Sequence, residues 1–189
     1  VAVHPCEDAI VTWLQQPDGT FAQPTLINFD NHRVRSAAFG DITGDGRADY
    51  VASITARTTD FVSGVTILET QPDGTAIESD FVLHDSIGRP AVTIGDVDAD
   101  ARNDVVVVDF DRIVLFKQEI DGSLTESTLF VDSEGPSLQS AVSLVDLDGD
   151  GRKDIYFCDT GPNSRLLLHA IDGSFNPVEG PRCPYFDIE

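Results

Sequence analysis

The sequence is short of positive charge, of long apolar runs and of sulfur. Lysine and arginine number 12 against 33 Asp plus Glu, a formal net charge of −21. Nucleic acid and anionic membrane surfaces reward basic patches, so neither is an expected partner. No apolar run approaches the ~20 residues that a membrane helix requires, so no membrane insertion is expected. No stretch carries a convincing helical period. Also missing are a Gly-x-Ser-x-Gly elbow, a phosphate-cradling glycine loop and a His-Glu-x-x-His pair. His4, His32, His84 and His169 are scattered and read as surface or strand-end residues, so no catalytic residue is assigned. The single tryptophan, Trp13, sits mid-strand beside Val11 and reads as core. There is no methionine, and a chain opening at Val1 fits a mature product whose signal sequence is gone. What is present suffices for a globular domain: 189 residues, 41% of them hydrophobic.

Three aspartate-rich stretches dominate the chain. Asp41-Ile42-Thr43-Gly44-Asp45-Gly46-Arg47-Ala48-Asp49 precedes Tyr50-Val51-Ala52. Asp96-Val97-Asp98-Ala99-Asp100-Ala101-Arg102-Asn103-Asp104 precedes Val105 to Val108, and Asp146-Leu147-Asp148-Gly149-Asp150-Gly151-Arg152-Lys153-Asp154 precedes Ile155-Tyr156-Phe157. Together they hold 11 of the 33 acids, and their starts lie 55 and 50 residues apart. A fixed period of that size signals stacked or ring-shaped repeats. Carboxylates at positions 1, 3 and 5 of a tight loop converge, which suits calcium, a hard cation that takes 6–8 oxygens. An EF-hand fails on spacing, because its position-12 glutamate would fall on Ala52, Val107 or Phe157. The residues after position 9 are β-branched and aromatic, so each loop leads into a strand.

The pattern Asp-x-Asp-x-Asp-Gly-x-x-Asp plus strand resembles the FG-GAP/VCBS repeat, found in integrin α-subunit heads and in integrin-like propeller lectins of fungi. The resemblance implies calcium held by the side chains at positions 1, 3, 5 and 9 and the carbonyl at position 7. These are Asp146, Asp148, Asp150, Asp154 and the Arg152 carbonyl in the third loop. They are Asp96, Asp98, Asp100, Asp104 and the Arg102 carbonyl in the second. In the first they are Asp41, Asp45, Asp49 and the Arg47 carbonyl, with Thr43 offering at best a hydroxyl or a bound water. Three structural Ca²⁺ sites are expected, the Asp41 site weakest. Ala101 stands where the family prefers glycine, and a positive φ there would strain it.

The turn Pro17-Asp18-Gly19-Thr20 returns at Pro72-Asp73-Gly74-Thr75, Ile120-Asp121-Gly122-Ser123 and Ile171-Asp172-Gly173-Ser174. Asp-Gly between apolar segments is a strong hairpin signal, so four hairpins accompany three acidic loops. Four antiparallel strands in ~50 residues make one propeller blade. The expected fold is therefore all-β: a small propeller of four blades with four antiparallel strands each, in one domain spanning 1–189. Blades are expected near 33–86, 87–134 and 137–180, with the ring closed by 1–30 plus 181–189. If Tyr185-Phe186-Asp187 lies over Leu144-Val145-Asp146, Cys183 falls beside the strand carrying Cys6. A Cys6–Cys183 disulfide would lock the closure, and Cys158 reads as a buried thiol. A fragment of a larger ring, or two chains sharing one, are the competing architectures, and the oligomeric state stays open.

Calcium loops and a disulfide both favour a secreted, extracellular setting. The resemblance implies a carbohydrate-binding lectin with a glycan or glycoprotein as partner. A protein-interaction or inhibitor module is the alternative, and a sugar-processing enzyme is the third reading. Arg47, Arg102 and Arg152 read as neutralising their own loops, not as an anion-binding ring.

Overall fold

A computed structural model describes residues 2–6, 8–13, 15–29, 32–56, 63–86, 90–109, 112–131, 139–159 and 165–179. Among them are fifteen strands and no helix. The N-terminal sheet has β1 (Ala2–Cys6), β2 (Ala9–Trp13) and β3 (Thr25–Asn28) in that order. The next holds β4 (His32–Gly40), β5 (Asp49–Ala56), β6 (Ser63–Thr70) and β7 (Ala76–Ser86). The third holds β8 (Ala91–Gly95), β9 (Asp104–Val108), β10 (Arg112–Gln118) and β11 (Leu124–Val131). The last holds β12 (Gln139–Val145), β13 (Asp154–Asp159), β14 (Arg165–His169) and β15 (Phe175–Glu179). Every pairing is antiparallel between chain neighbours.

The core lies between sheets. Val51, Val65 and Ile67 of one sheet pack on Val92, Val105, Val107 and Phe116 of the next. Val106, Val108 and Leu115 then face Ile155, Phe157 and Leu167. Ile10 and Phe29 meet Val34, Ala52 and Ile54 on the other side. The second strands β5 and β9 are thus covered on both faces. That explains why β9 reads as unbroken valine instead of alternating apolar and polar residues. The first strands of the three four-stranded sheets, β4, β8 and β12, lie side by side in sequence order, with β1 also against β4, as in the inner wall of a propeller. Glycine sets their spacing, since a Cβ on Gly40 would sit 2.8 Å from Cγ2 of Ile94. The four Asp-Gly turns share one device: Oδ1 of Asp18, Asp73, Asp121 or Asp172 accepts both the N–H and the hydroxyl of the residue two ahead. Those bonds hold the four carboxyls below the usual range.

Some expectations shift in detail. The strand after the first Asp-Gly turn begins only at Thr25, and Phe21 makes an isolated bridge with Gln15. Trp13 is half-buried. The N-terminal sheet shows three strands, and the strand expected to complete it falls in 181–189, outside the described residues. Cys183 lies there too, and the side chains of Cys6 and Cys158 are also outside the description. At loop position 2, Ile42 and Val97 are 1% exposed beneath the following sheet, whereas Leu147 is 49% exposed. Among the described residues, no sheet covers that face of the last blade.

Candidate functional site

Each acidic loop joins the first and second strands of its blade and is folded around its own aspartates. At position 1, the two oxygens of Asp41 accept the N–H groups of Gly44 (2.7 Å) and Gly46 (2.9 Å). Asp96 does the same with Asp100 and Ala101, and Asp146 with Gly149 and Gly151. At position 9, Asp49, Asp104 and Asp154 are fully buried. Their Oδ2 atoms accept the N–H of Ile42, Val97 and Leu147. Their Oδ1 atoms accept the N–H of Thr70, Gln118 and His169, at the end of the third strand. Position 9 therefore ties loop to sheet, whatever else it binds.

Position 5 has a different occupation. Asp45, Asp100 and Asp150 form close ion pairs with Arg47, Arg102 and Arg152 of their own loops. Each guanidinium also donates through Nε to the carbonyl of Thr70, Gln118 or His169 at 2.7–2.9 Å. The arginines are clamps that neutralise their loops, as their placement in the sequence suggested. The carbonyls expected to bind metal belong to these same residues.

Positions 1, 3 and 9 converge. Oxygens of Asp96, Asp98 and Asp104 lie within 4.8 Å of one another, as do those of Asp146, Asp148 and Asp154. Oxygens around a calcium ion at roughly 2.3–2.6 Å are separated by no more than about 5 Å, so both donor sets fit such an ion. Asp98 Oδ1 supports the fit: it is buried and has no hydrogen-bond partner among the described residues. Burial pushes Asp104 up to about 6, and the nearby charges of Asp98 and Asp100 add to this. That is the frustration a cation would relieve. Burial also pushes Asp98 up, but Lys117 outweighs it and holds the carboxyl below its usual range. The first loop assembles no such acidic triple, since Thr43 donates its hydroxyl to Asp49 at 3.2 Å.

The second loop departs from the others in its backbone. Ala101 has φ +67°, and Ala99 has φ +64°. Glycine holds both positions in the first and third loops, at φ +77° to +89°. The strain foreseen at Ala101 is present and is matched at Ala99, which sequence reasoning passed over.

A cleft of about 460 Å³ opens where the first loop meets the second loop and the β10–β11 turn. Asp41 and Thr43 stand on one side, and Arg102, Asn103, Gln118 and Ile120 on the other. Two contacts set its width. Asn103 Nδ2 donates to the Asp41 carbonyl at 3.1 Å, and a Cβ on Gly122 would come 2.5 Å from the Thr43 carbonyl oxygen. Gln118 is 2% exposed, and its Nε2 has no hydrogen-bond partner among the described residues. That amide lies beside Gly44, 3.8 Å from where a Cβ there would be. Ile120, at the rim, is 91% exposed. Gln118 was not singled out from the sequence; the signal was its place two residues before the Ile-Asp-Gly turn, matching His169. His169 itself is a strand-end residue, but a buried one, stacked on Phe175 at 4.5 Å. His32 is half-buried, and the side chains of His4 and His84 lie outside the described residues.

Residues 96–157 match the FG-GAP-like repeat, from the second acidic loop into β13. Among solved structures the chain is similar to an Agrocybe aegerita lectin described by its specific recognition of non-reducing terminal N-acetylglucosamine. The identity is 19% and the TM-score 0.54, over 92% of this chain and 46% of that one. The chain thus spans about half the length of that lectin, and at this identity the likeness concerns the fold. No curated protein sequence matches the chain.

Proposed function

On the premise that residues 96–157 carry an FG-GAP-like repeat, we propose that the protein is a secreted, calcium-stabilised propeller module that binds glycans in clefts between blades. The observation that carries the reading is the Gln118 amide, buried without a partner at the cleft between the first two acidic loops. A buried donor left unsatisfied costs about 1–3 kcal/mol, and a ligand oxygen toward which the side chain turns would remove that cost. The cleft also offers Glu119 as an acceptor, Arg102 and Asn103 as donors, and exposed Ile120 for an apolar face. A pyranose presents that mixture: hydroxyls around its edge and C–H groups on its face. Similarity to a lectin fold agrees with the reading.

In this reading calcium fills the loops at Asp96, Asp98 and Asp104, at Asp146, Asp148 and Asp154, and at the first loop. Its task is to hold the walls of the cleft, since binding to the folded state alone stabilises that state. Residues 181–189 would complete the N-terminal blade formed by 1–30 and so close the ring, and a Cys6–Cys183 bond would fasten it.

The test is a glycan array probed in calcium, starting from N-acetylglucosamine-terminated structures, with titration of the best hit. Saturable binding weakened at least tenfold by Gln118→Ala supports the reading, since the backbone N–H that serves Asp104 is untouched. No bound glycan from calcium-loaded protein overturns it. Capture of a stoichiometric protein that free sugars do not displace would favour the interaction module instead.

A further inference from the structure

Thr70, Gln118 and His169 are structurally equivalent, each donating its backbone N–H to Oδ1 of the aspartate that ends its loop. The residues just before them are Glu69, Lys117 and Leu168. Strand register agrees: Tyr50 pairs with Leu68 and Val105 with Phe116, which sets Glu69 opposite Asp49 and Lys117 opposite Asp104. All three side chains are half-buried and leave the sheet on one face, opposite to buried Leu68, Phe116 and Leu167.

In the second blade the structure shows where that face leads. Lys117 Nζ lies 2.5 Å from Asp98 Oδ2 and 3.8 Å from Asp100 Oδ2. It reaches the position-3 carboxylate from outside the loop. In the first blade, position 3 is Thr43, and the residue at the register of Lys117 is Glu69. The two positions differ together: where Asp98 meets a lysine in the second blade, the first blade has Thr43 at position 3 and a glutamate at the lysine's register. In the third blade Asp148 stands at position 3 with uncharged Leu168 behind it.

We propose that Glu69 supplies the first loop with the carboxylate that Thr43 withholds, and that Lys117 is a tethered cation competing with divalent metal in the second. The inference rests on reading the loops as calcium sites. Reach favours it, because a glutamate carboxylate ends one bond nearer the backbone than a lysine ammonium. That leaves room for an ion about 2.3–2.6 Å from each oxygen. It also reverses the order expected from the loops alone: the second site is the weakest, not the first. Ala99 and Ala101, at positive φ, penalise the second loop further.

The test is calcium titration by calorimetry with native mass spectrometry on the full chain, wild type beside Glu69→Gln and Lys117→Leu. Leucine is the third blade's own residue at this register. Glu69→Gln should weaken one of the tighter sites by at least about tenfold, and Lys117→Leu should tighten the weakest by a similar factor. Melting in EDTA separates metal effects from damage to the fold, and neither variant should change it by more than a degree or two. Wild-type protein that takes up no calcium overturns the site reading and this inference with it. Calcium uptake with affinities unmoved by both substitutions overturns the inference alone.

Discussion

Asn103 Nδ2 donates to the carbonyl of Asp41 at 3.1 Å, and that bond joins two acidic loops through residues 62 apart in the chain. The donor is the last residue but one of its loop, and the acceptor begins the previous loop. Neighbouring blades are therefore coupled through their acidic loops as well as through the apolar seam beneath them. Replacing Asn103 with alanine should destabilise the fold by about 1 kcal/mol and weaken ligands of the cleft. Urea unfolding and glycan titration on one variant would read both effects.

Gly122 and Gly173 give a controlled comparison. Both have φ +83°, but a Cβ on Gly173 meets nothing within 4 Å, whereas one on Gly122 meets the Thr43 carbonyl oxygen at 2.5 Å. Each alanine variant should lose about 1–2 kcal/mol to backbone strain. Gly122→Ala should lose more, and it alone should change cleft binding, because the turn must move off the first loop. Equal losses in denaturant unfolding would show that the blade contact contributes nothing.

Ala101→Gly should raise stability by about 1 kcal/mol, since alanine at φ +67° has strain that glycine does not. Ala99→Gly, at φ +64°, should behave alike. Both gains should persist in EDTA. A loss of stability in either variant would mean that the loop tolerates the left-handed backbone without strain.

Asp104 makes the metal-free protein sensitive to pH. Its folded pKa, about 6, is raised above the ordinary 3.8 by burial and by Asp98 and Asp100. A raised carboxyl favours folding in its protonated form, so its contribution is complete below pH 3.8 and is lost as pH rises through 6. In EDTA, wild type should lose up to about 3 kcal/mol relative to Asp104→Asn over that interval. Saturating calcium should reverse the trend, because the metal binds the ionised form. Thermal melting across pH, with and without EDTA, measures both arms.

The architecture was legible because its signals repeat. Three loops in phase and four Asp-Gly turns mark the strand joints, and each loop ends on a strand. The position-9 aspartates were readable as ligands but not as the buried ties between loop and third strand, since that role depends on the N–H groups of Thr70, Gln118 and His169. Gln118 escaped notice for the same reason: its isolation follows from what the neighbouring blade brings, and a lone glutamine in a strand carries no mark. Lys117 and Glu69 were hidden by distance, lying 19 and 26 residues from the position-3 residues they answer to. Leu147 looked like its counterparts Ile42 and Val97, and only the stacking of sheets separates it from them.

The account turns on whether the acidic loops hold metal when the chain is folded. Native mass spectrometry of non-reduced protein, before and after EDTA, decides it most directly. The account predicts three calcium ions on the folded chain, lost on chelation together with a clear fall in melting temperature. A chain that carries no calcium at saturating metal, and melts unchanged in EDTA, would contradict it.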